Sequence, residues 1–228
     1  MVLRIGIGDA VLTNLTIPVL NRYDLLHRCL DSIDEPIENL LIINNGQDYR
    51  ARLTKHPMAG QVWWIDMPSN FGVAASWNLA IKSFRHDPVW FFASNDVVFQ
   101  PGALANLAKL ASPNQLTLSE MFPHFHAFAL GEEVVKRIGL FDENIYPAFE
   151  EDIEFLGRMT RQGLPMVKAD VPAHHDNSST IHSDIRYRDA NSVTHGYNRE
   201  YRLQKEAGLI PLTESRWRLD RWRRQDWR

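Results

Sequence analysis

Three short stretches carry side chains able to do chemistry: Ser94-Asn95-Asp96, Glu150-Glu151-Asp152 and His174-His175. The first lies between two apolar runs, Phe91-Phe92-Ala93 and Val97-Val98-Phe99. Polar groups inside such a run are costly unless something satisfies them. The triplet therefore reads either as a tight turn joining two strands or as a strand end at which Asp96, its only carboxylate, faces a cation. Hard divalent ions prefer carboxylate oxygen. The second stretch sets three carboxylates near the start of a helix, where mutual repulsion raises a pKa and the helix N-terminus lowers it. A carboxylate poised in this way can take a proton from a hydroxyl. The third is a histidine pair on an extended segment, so its two rings point to opposite faces and at most one faces a pocket. Neutral imidazole is a ligand for ions such as Mn2+. Taken singly, each stretch also has a plain structural reading: a turn, a set of helix-dipole partners, a histidine bonded to backbone.

The elements that would position these groups follow from apolar periodicity. Strands are predicted over 11–20, 39–47, 61–68 and 89–94, and helices over 23–34, 72–84 and 102–111. Helix 23–34 has Leu25, Leu26, Cys29, Leu30 and Ile33 at helical spacing, and helix 72–84 has Ala75, Leu79 and Ala80 on one side. Residues 124–139 read as a strand passing into a short helix. Residues 150–163 read as an amphipathic helix with Ile153, Leu156 and Met159 inward, closed by Gly163. Residues 164–175 read as one more strand. Alternating strands and helices imply a doubly wound, mostly parallel sheet flanked by helices, α/β in class and a single domain. Ligands of such sheets collect at the carboxyl ends of the strands. The polar turns Asn44-Asn45-Gly46 and Ser94-Asn95-Asp96 fall at two predicted carboxyl ends, which suggests a common pocket.

The 228 residues suffice for one sizeable core. A net charge of -3 gives no overall reason to expect a nucleic-acid binder. The single cysteine, Cys29, rules out an intramolecular disulfide and suits a reducing compartment. No apolar run approaches the ~20 residues of a membrane helix, and nothing reads as a signal peptide, so a cytoplasmic location is expected.

In order, "TIPVLNRYDLLHRCLDSI" (16–33), "LLIINNG" (40–46), "NFGVAASWNLAI" (70–81), "FASNDVVFQPGAL" (92–104) and "GLFDENIYPAFEEDIEFLGRMTRQG" (139–163) resemble the family-2 nucleotide-sugar glycosyltransferases of GT-A fold. The resemblance covers roughly residues 13–180 and lies in the order and spacing of the blocks. It implies a metal-dependent, inverting transfer of a sugar from a nucleotide-diphosphate sugar, a UDP-sugar being favoured, to an acceptor hydroxyl. It puts Ser94-Asn95-Asp96 at the family's Asp-X-Asp metal motif, with Ser94 in place of the first Asp and Asp96 as ligand of Mn2+ or Mg2+. His175, or its neighbour His174, stands where a further ligand is found. Glu151-Asp152 match the Glu-Asp pair that opens a helix, with Asp152 as the favoured base and Glu151 supporting it or binding acceptor. Pro18, Asn21 and Arg22 match the opening nucleotide-binding segment, Asn44 and Asn45 the base-binding turn, and Asn70, Gly72 and Asn78 a block beside the diphosphate. Asn95 is expected on the ribose or a phosphate. Asn44 replaces the usual Asp; its carbonyl accepts the base's N–H, while its NH2 can also donate.

On this resemblance a catalytic domain spans 1–180, with a nucleotide-binding half at 13–111 and an acceptor half at 112–180. Residues 181–228 form a helical extension whose end interleaves Trp217, Trp222 and Trp227 with arginines. That end suits packing on the domain, contact with a partner or nucleic acid, or a membrane interface. Two other functions stay open: a degenerate GT-A domain that only binds, and a nucleotidyltransferase. The acceptor (glycan, lipid, protein or modified nucleic-acid base) is not specified by any of these residues.

Overall fold

The computed structural model describes residues 12–46, 52–119, 125–169, 171–175 and 185–210. Its centre is a seven-stranded sheet in the order β3-β2-β1-β4-β7-β6-β8. The strands are β1 (Leu12–Val19), β2 (Ile37–Asn44), β3 (Ala59–Asp66), β4 (Val89–Ala93), β6 (Leu116–Leu118), β7 (Ala127–Gly131) and β8 (Met166–Lys168). β3, β2, β1 and β4 run parallel, β7 lies antiparallel to β4 and β6, and β8 is parallel to β6. A separate antiparallel pair joins β5 (Val97–Phe99) to β9 (Ala173–His175). The expected mostly parallel, doubly wound α/β sheet is present as a single domain.

Apolar strands are buried on both sides because helices cover both faces. In β4, Val89, Phe91 and Ala93 enter the core beside α1 (Tyr23–Asp31) and α3 (Ala103–Leu110). Trp90 and Phe92 enter the opposite core, beside α2 (Val73–Ser83), α4 (Glu132–Ile138) and α5 (Glu151–Arg161). That second core is aromatic: Trp77 of α2 stands edge-on to Phe92 and Phe128, and Phe141 stacks on Phe155 at 4.2 Å. A buried amide supports the β1–β4 junction. Asn14 accepts from the Phe91 N–H at 3.0 Å and donates to the Val89 carbonyl at 2.9 Å, which replaces ladder bonds on a central strand.

Three expectations need correction. Residues 164–175 form two short strands in different sheets, although their apolar alternation is continuous; the chain leaves β6 after Lys168 and crosses to β5, where Gln100 N–H bonds the Pro172 carbonyl. Helix α2 turns Ala74, Trp77, Ala80 and Ile81 inward, with Ala75 and Leu79 only half-buried, because Trp77 is the residue that fills the aromatic core. Helix α5 buries Phe155, Leu156 and Met159, with Ile153 half-buried. Its inward face also carries Glu154 and Arg158, which pair bidentately inside the protein, so apolar residues alone misplace that face.

The last described helix, α6 (Ile185–Glu206), docks through charge rather than through an apolar stripe. Lys205 is 3% exposed, and its ammonium contacts Asp142 at 2.6 Å and Glu154 at 2.9 Å. Asn198 holds the chain between β7 and α5: it accepts from Tyr146 N–H and donates to the carbonyls of Ala148 and Phe149. The Trp/Arg end at 212–228 lies outside the described residues.

Removing one partner of a buried ion pair leaves the other charge uncompensated. Lys205→Ala is therefore expected to cost about 3 kcal/mol or more of folding stability. Arg188→Ala, which breaks an exposed pair with Asp189, is expected to cost less than about 1 kcal/mol. Chemical denaturation of the two variants measures both.

Candidate active site

The polar turns at the carboxyl ends of the parallel strands are tied to one another. The turn from β1 into α1 holds Arg22 in the left-handed region, at φ 55°. Asn95, in the β4–β5 turn, donates weakly to the carbonyls of Asn21 and Arg22, at 3.3 and 3.4 Å. The β2 end follows: Asn45 N–H bonds the Val19 carbonyl, and its side chain bridges Ser76 on α2 to the Phe71 N–H. Gly46 fits because a Cβ there would stand 2.1 Å from the Leu20 carbonyl oxygen.

Asp96 and His175 meet across the β5–β9 pair. Val97 opposes His175 in that ladder, which brings His175 Nε2 to 3.2 Å from Asp96 Oδ1. His174, one residue earlier, is exposed on the other face. The His175 ring also stacks on His126, a buried residue that sequence reasoning passed over, at 4.7 Å; His126 Nε2 in turn bonds Ser119 Oγ at 2.9 Å. Only the contact across strands marks His126, and no spacing rule announces it.

The donor set fits a small divalent ion. Two ligands at right angles on an octahedral ion sit about 3 Å apart when each bond is about 2.1 Å, close to the Asp96–His175 separation. No cluster of three or more His, Cys, Asp or Glu able to hold a metal occurs among the described residues. The pair would thus supply two positions and leave the others to water or to phosphate oxygens, a common arrangement for Mg2+.

The acidic helix start is held on strained backbone. Phe149 and Glu150 both adopt positive φ, 68° and 78°, and with Arg22 they are the non-glycine residues to do so among those described. Each such residue costs of order 1–2 kcal/mol and persists only where its surroundings hold it. Asn198 bonds the Phe149 carbonyl, while Arg202 and His195 of α6 bind the Glu150 carboxylate. Glu150 is thereby a structural anchor. The β3–α2 turn is fastened to the same loop: Tyr146 donates to the Asn70 carbonyl, and Val73 N–H bonds the Pro147 carbonyl. Gly72, at φ 84°, lies against it, where a Cβ would meet the Pro147 oxygen at 2.7 Å.

Glu151 and Asp152 differ sharply. Glu151 is buried, and its Oε2 has no hydrogen-bond partner among the described residues. Burial, reinforced by the charges of Asp152 and Glu150, pushes its pKa up to about 8. Asp152 is half-buried, and one of its carboxylate oxygens accepts from the Ile153 N–H at 2.8 Å. Of the two, Asp152 is the more exposed.

Two other expected residues are not brought to the pocket. Asn78 is fully buried, and its amide is spent on the backbone of Phe141 and on Glu143. Asn44 is also fully buried: its Oδ1 accepts from Tyr23 Oη at 2.6 Å and from Gly46 N–H, and its Nδ2 donates to Asp66 at 2.8 Å. Pro18 is half-buried on β1, opposite Ile43.

Residues 15–126, just under half of the chain, match the model of the family Glycosyl transferase family 2. Among solved structures, GalNAc-T7 with UDP, GalNAc and Mn2+ superposes with a TM-score of 0.59 at 10% identity, over 72% of this chain and 43% of that one. This chain thus spans less than half the length of that neighbour. The catalytic domain of Drosophila beta1,4galactosyltransferase 7 with xylobiose aligns at TM-score 0.46 and 14% identity, over 72% of this chain and 70% of that one. S. aureus TarS aligns at 0.44 and 14%, over 64% and 54%. No curated protein matches by sequence. The fold is that of the GT-A glycosyltransferases.

Glu151 gives a measurable pH dependence. In the folded chain it keeps its proton up to about pH 8, whereas unfolded it ionises near its ordinary 4.5. Unfolding between those values releases a proton, so the stabilisation is full below pH 4.5 and is lost as pH rises through 8. Glu151→Gln, neutral at every pH, is expected to flatten that part of the curve of Tm against pH.

Proposed function

We propose that this chain, a family-2-like glycosyltransferase of GT-A fold, transfers a sugar from a nucleotide-diphosphate sugar, a UDP-sugar being favoured, to an acceptor hydroxyl with inversion. The observation that carries the reading is the meeting of Asp96 and His175 at the carboxyl end of the parallel strands. Those two residues would hold a divalent cation, Mn2+ or Mg2+, which supplies positive charge to the departing diphosphate. The fold neighbour solved with UDP and Mn2+ supports this reading.

The remaining steps belong to the chain's own groups. The backbone of the β1–α1 and β3–α2 turns, around Asn21, Arg22, Asn70 and Gly72, would line the donor. Asp152 would take the acceptor proton as the hydroxyl attacks from the face opposite the leaving group, which inverts the anomeric carbon. Glu151, whose burial raises its pKa well above the ordinary carboxylate range, would act as a hydrogen-bond donor beside that reaction instead of as its base. The nucleotide half would span 13–111 and the acceptor half 112–180, and a single cysteine suits work in the cytoplasm. No described helix is long and apolar enough to cross a membrane.

A module that binds without turnover is the second reading, favoured by Ser94 in place of the family's first Asp and by the Asn44 oxygen being engaged by Tyr23 and Gly46. Release of nucleoside diphosphate from a nucleotide sugar in the presence of Mn2+ separates the two, since a module without turnover releases none.

Asp96→Ala is expected to weaken UDP binding in Mn2+ and to leave binding in EDTA unchanged, by titration calorimetry. Equal affinities in Mn2+ would remove Asp96 from the site. Asp152→Asn keeps shape and removes basicity, so turnover is expected to fall on the order of a hundredfold or more, with donor affinity nearly unchanged. Proton NMR of the first-formed product is expected to give the inverted anomer; retention would overturn the role of Asp152.

A further inference from the structure

We infer that Asp66, at the end of β3, is the residue that reads the nucleotide base. This rests on the donor reading above and adds a specificity determinant to it. Asn44 and Asp66 are register partners at the carboxyl ends of β2 and β3. Asn44, fully buried, has its oxygen engaged by Tyr23 and Gly46 and has an amide N–H on Asp66. A base N–H could use the Asn44 oxygen only by displacing one of these two donors. Asp66 is half-buried, and its two oxygens are unlike. Oδ1 accepts from Asn44 Nδ2 at 2.8 Å and from Trp64 Nε1 at 2.7 Å, while Oδ2 has no hydrogen bond among the described residues. The pocket end of the sheet thus offers one oriented, open carboxylate oxygen, held from behind by two internal donors.

Its position suits the base of a nucleotide whose phosphates sit at Asp96. Three interstrand steps separate β4 from β3, roughly 14 Å at the usual sheet spacing, a span that an extended nucleoside diphosphate covers from phosphate to base edge. Chemistry selects the base. A single acceptor oxygen takes one N–H, as uracil offers at N3. Cytosine presents a lone pair at that position, which the carboxylate repels. Guanine presents two adjacent N–H donors and needs both carboxylate oxygens, one of which already has two donors. Adenine, like cytosine, presents a ring lone pair and only an exocyclic amine N–H, so uracil is the base that this arrangement favours.

Asp66→Asn tests the assignment sharply, because Asn44 and Trp64 both demand an acceptor at the Oδ1 position. The new amide must place its oxygen there and its NH2 where Oδ2 was. That substitution turns the acceptor into a donor, which meets the lone pair of cytosine N3 and opposes the N–H of uracil N3. Affinities of parent and variant for UDP, CDP and GDP with Mn2+ are measured by calorimetry. The parent is expected to prefer UDP, and the variant to lose at least tenfold in UDP affinity while gaining for CDP, so that the order reverses. A variant that keeps the parent's UDP-to-CDP ratio overturns the role of Asp66 alone. A parent that prefers CDP or GDP also overturns it. A parent that binds no nucleoside diphosphate overturns the donor reading and this inference together. If the variant does not fold, a crystal structure of the parent with UDP decides: uracil N3 within hydrogen-bond distance of Asp66 Oδ2 supports the assignment, and N3 on any other group overturns it.

Discussion

The buried ammonium of Lys205 is the contact on which the geometry of the acidic helix depends. An ammonium out of water is tolerable only when paired, and Lys205 is paired with Asp142 from the loop before α5 and with Glu154 from α5 itself. Burial opposes ionisation of Asp142, yet the bond and charge of Lys205 hold its carboxyl below the ordinary value. Arg158 completes the cluster by gripping Glu154 and the carbonyls of Ile138 and Leu140. Such a network specifies one arrangement more than it adds net stability. Here the arrangement fixes α6 against the loop, and α6 then supplies Asn198, Arg202 and His195 to hold Phe149 and Glu150 in left-handed conformations. The carboxylates of Glu151 and Asp152 inherit their positions from that chain of contacts.

A similar division of labour runs through the asparagines at the strand ends. Asn95 joins the β4–β5 turn to the β1–α1 turn, Asn45 joins β2 to α2, and Asn78 joins α2 to the segment after α4. An amide that donates and accepts at once can satisfy backbone groups on two sides, which a carboxylate cannot. These side chains tie the strand ends to the turns and helices around them. In the proposed reading, the charged groups that would face the donor and acceptor are Asp96 with His175, Asp152 and Asp66.

The parallel half of the sheet and its helices were legible in sequence, because long apolar runs and polar strand ends are local signals. The pairing of Asp96 with His175 was legible only from the order of the motif blocks, since the two residues lie far apart in the chain. β5 was legible only as the far side of a turn at Ser94-Asn95-Asp96, and β6 was not legible as a strand; three residues carry too little periodicity. The inward face of α5 was misread because a buried Glu154–Arg158 pair looks like a solvent face in sequence. The grip of Arg202 on Glu150, across 52 positions, and the engagement of Asn44 by Tyr23 and Asp66 are tertiary facts with no local trace. Asn44 therefore read as a base acceptor, whereas its hydrogen-bonding groups are engaged inside the protein.

The central claim is that Asp96 and His175 form the metal end of a nucleotide site. Diffraction from crystals grown with Mn2+ and UDP, recorded at the manganese absorption edge, tests it most directly. An anomalous peak bonded to Asp96 Oδ1 and His175 Nε2, with diphosphate oxygens completing the shell, is the expected result. A manganese peak elsewhere, or UDP bound away from that pair, would contradict the claim.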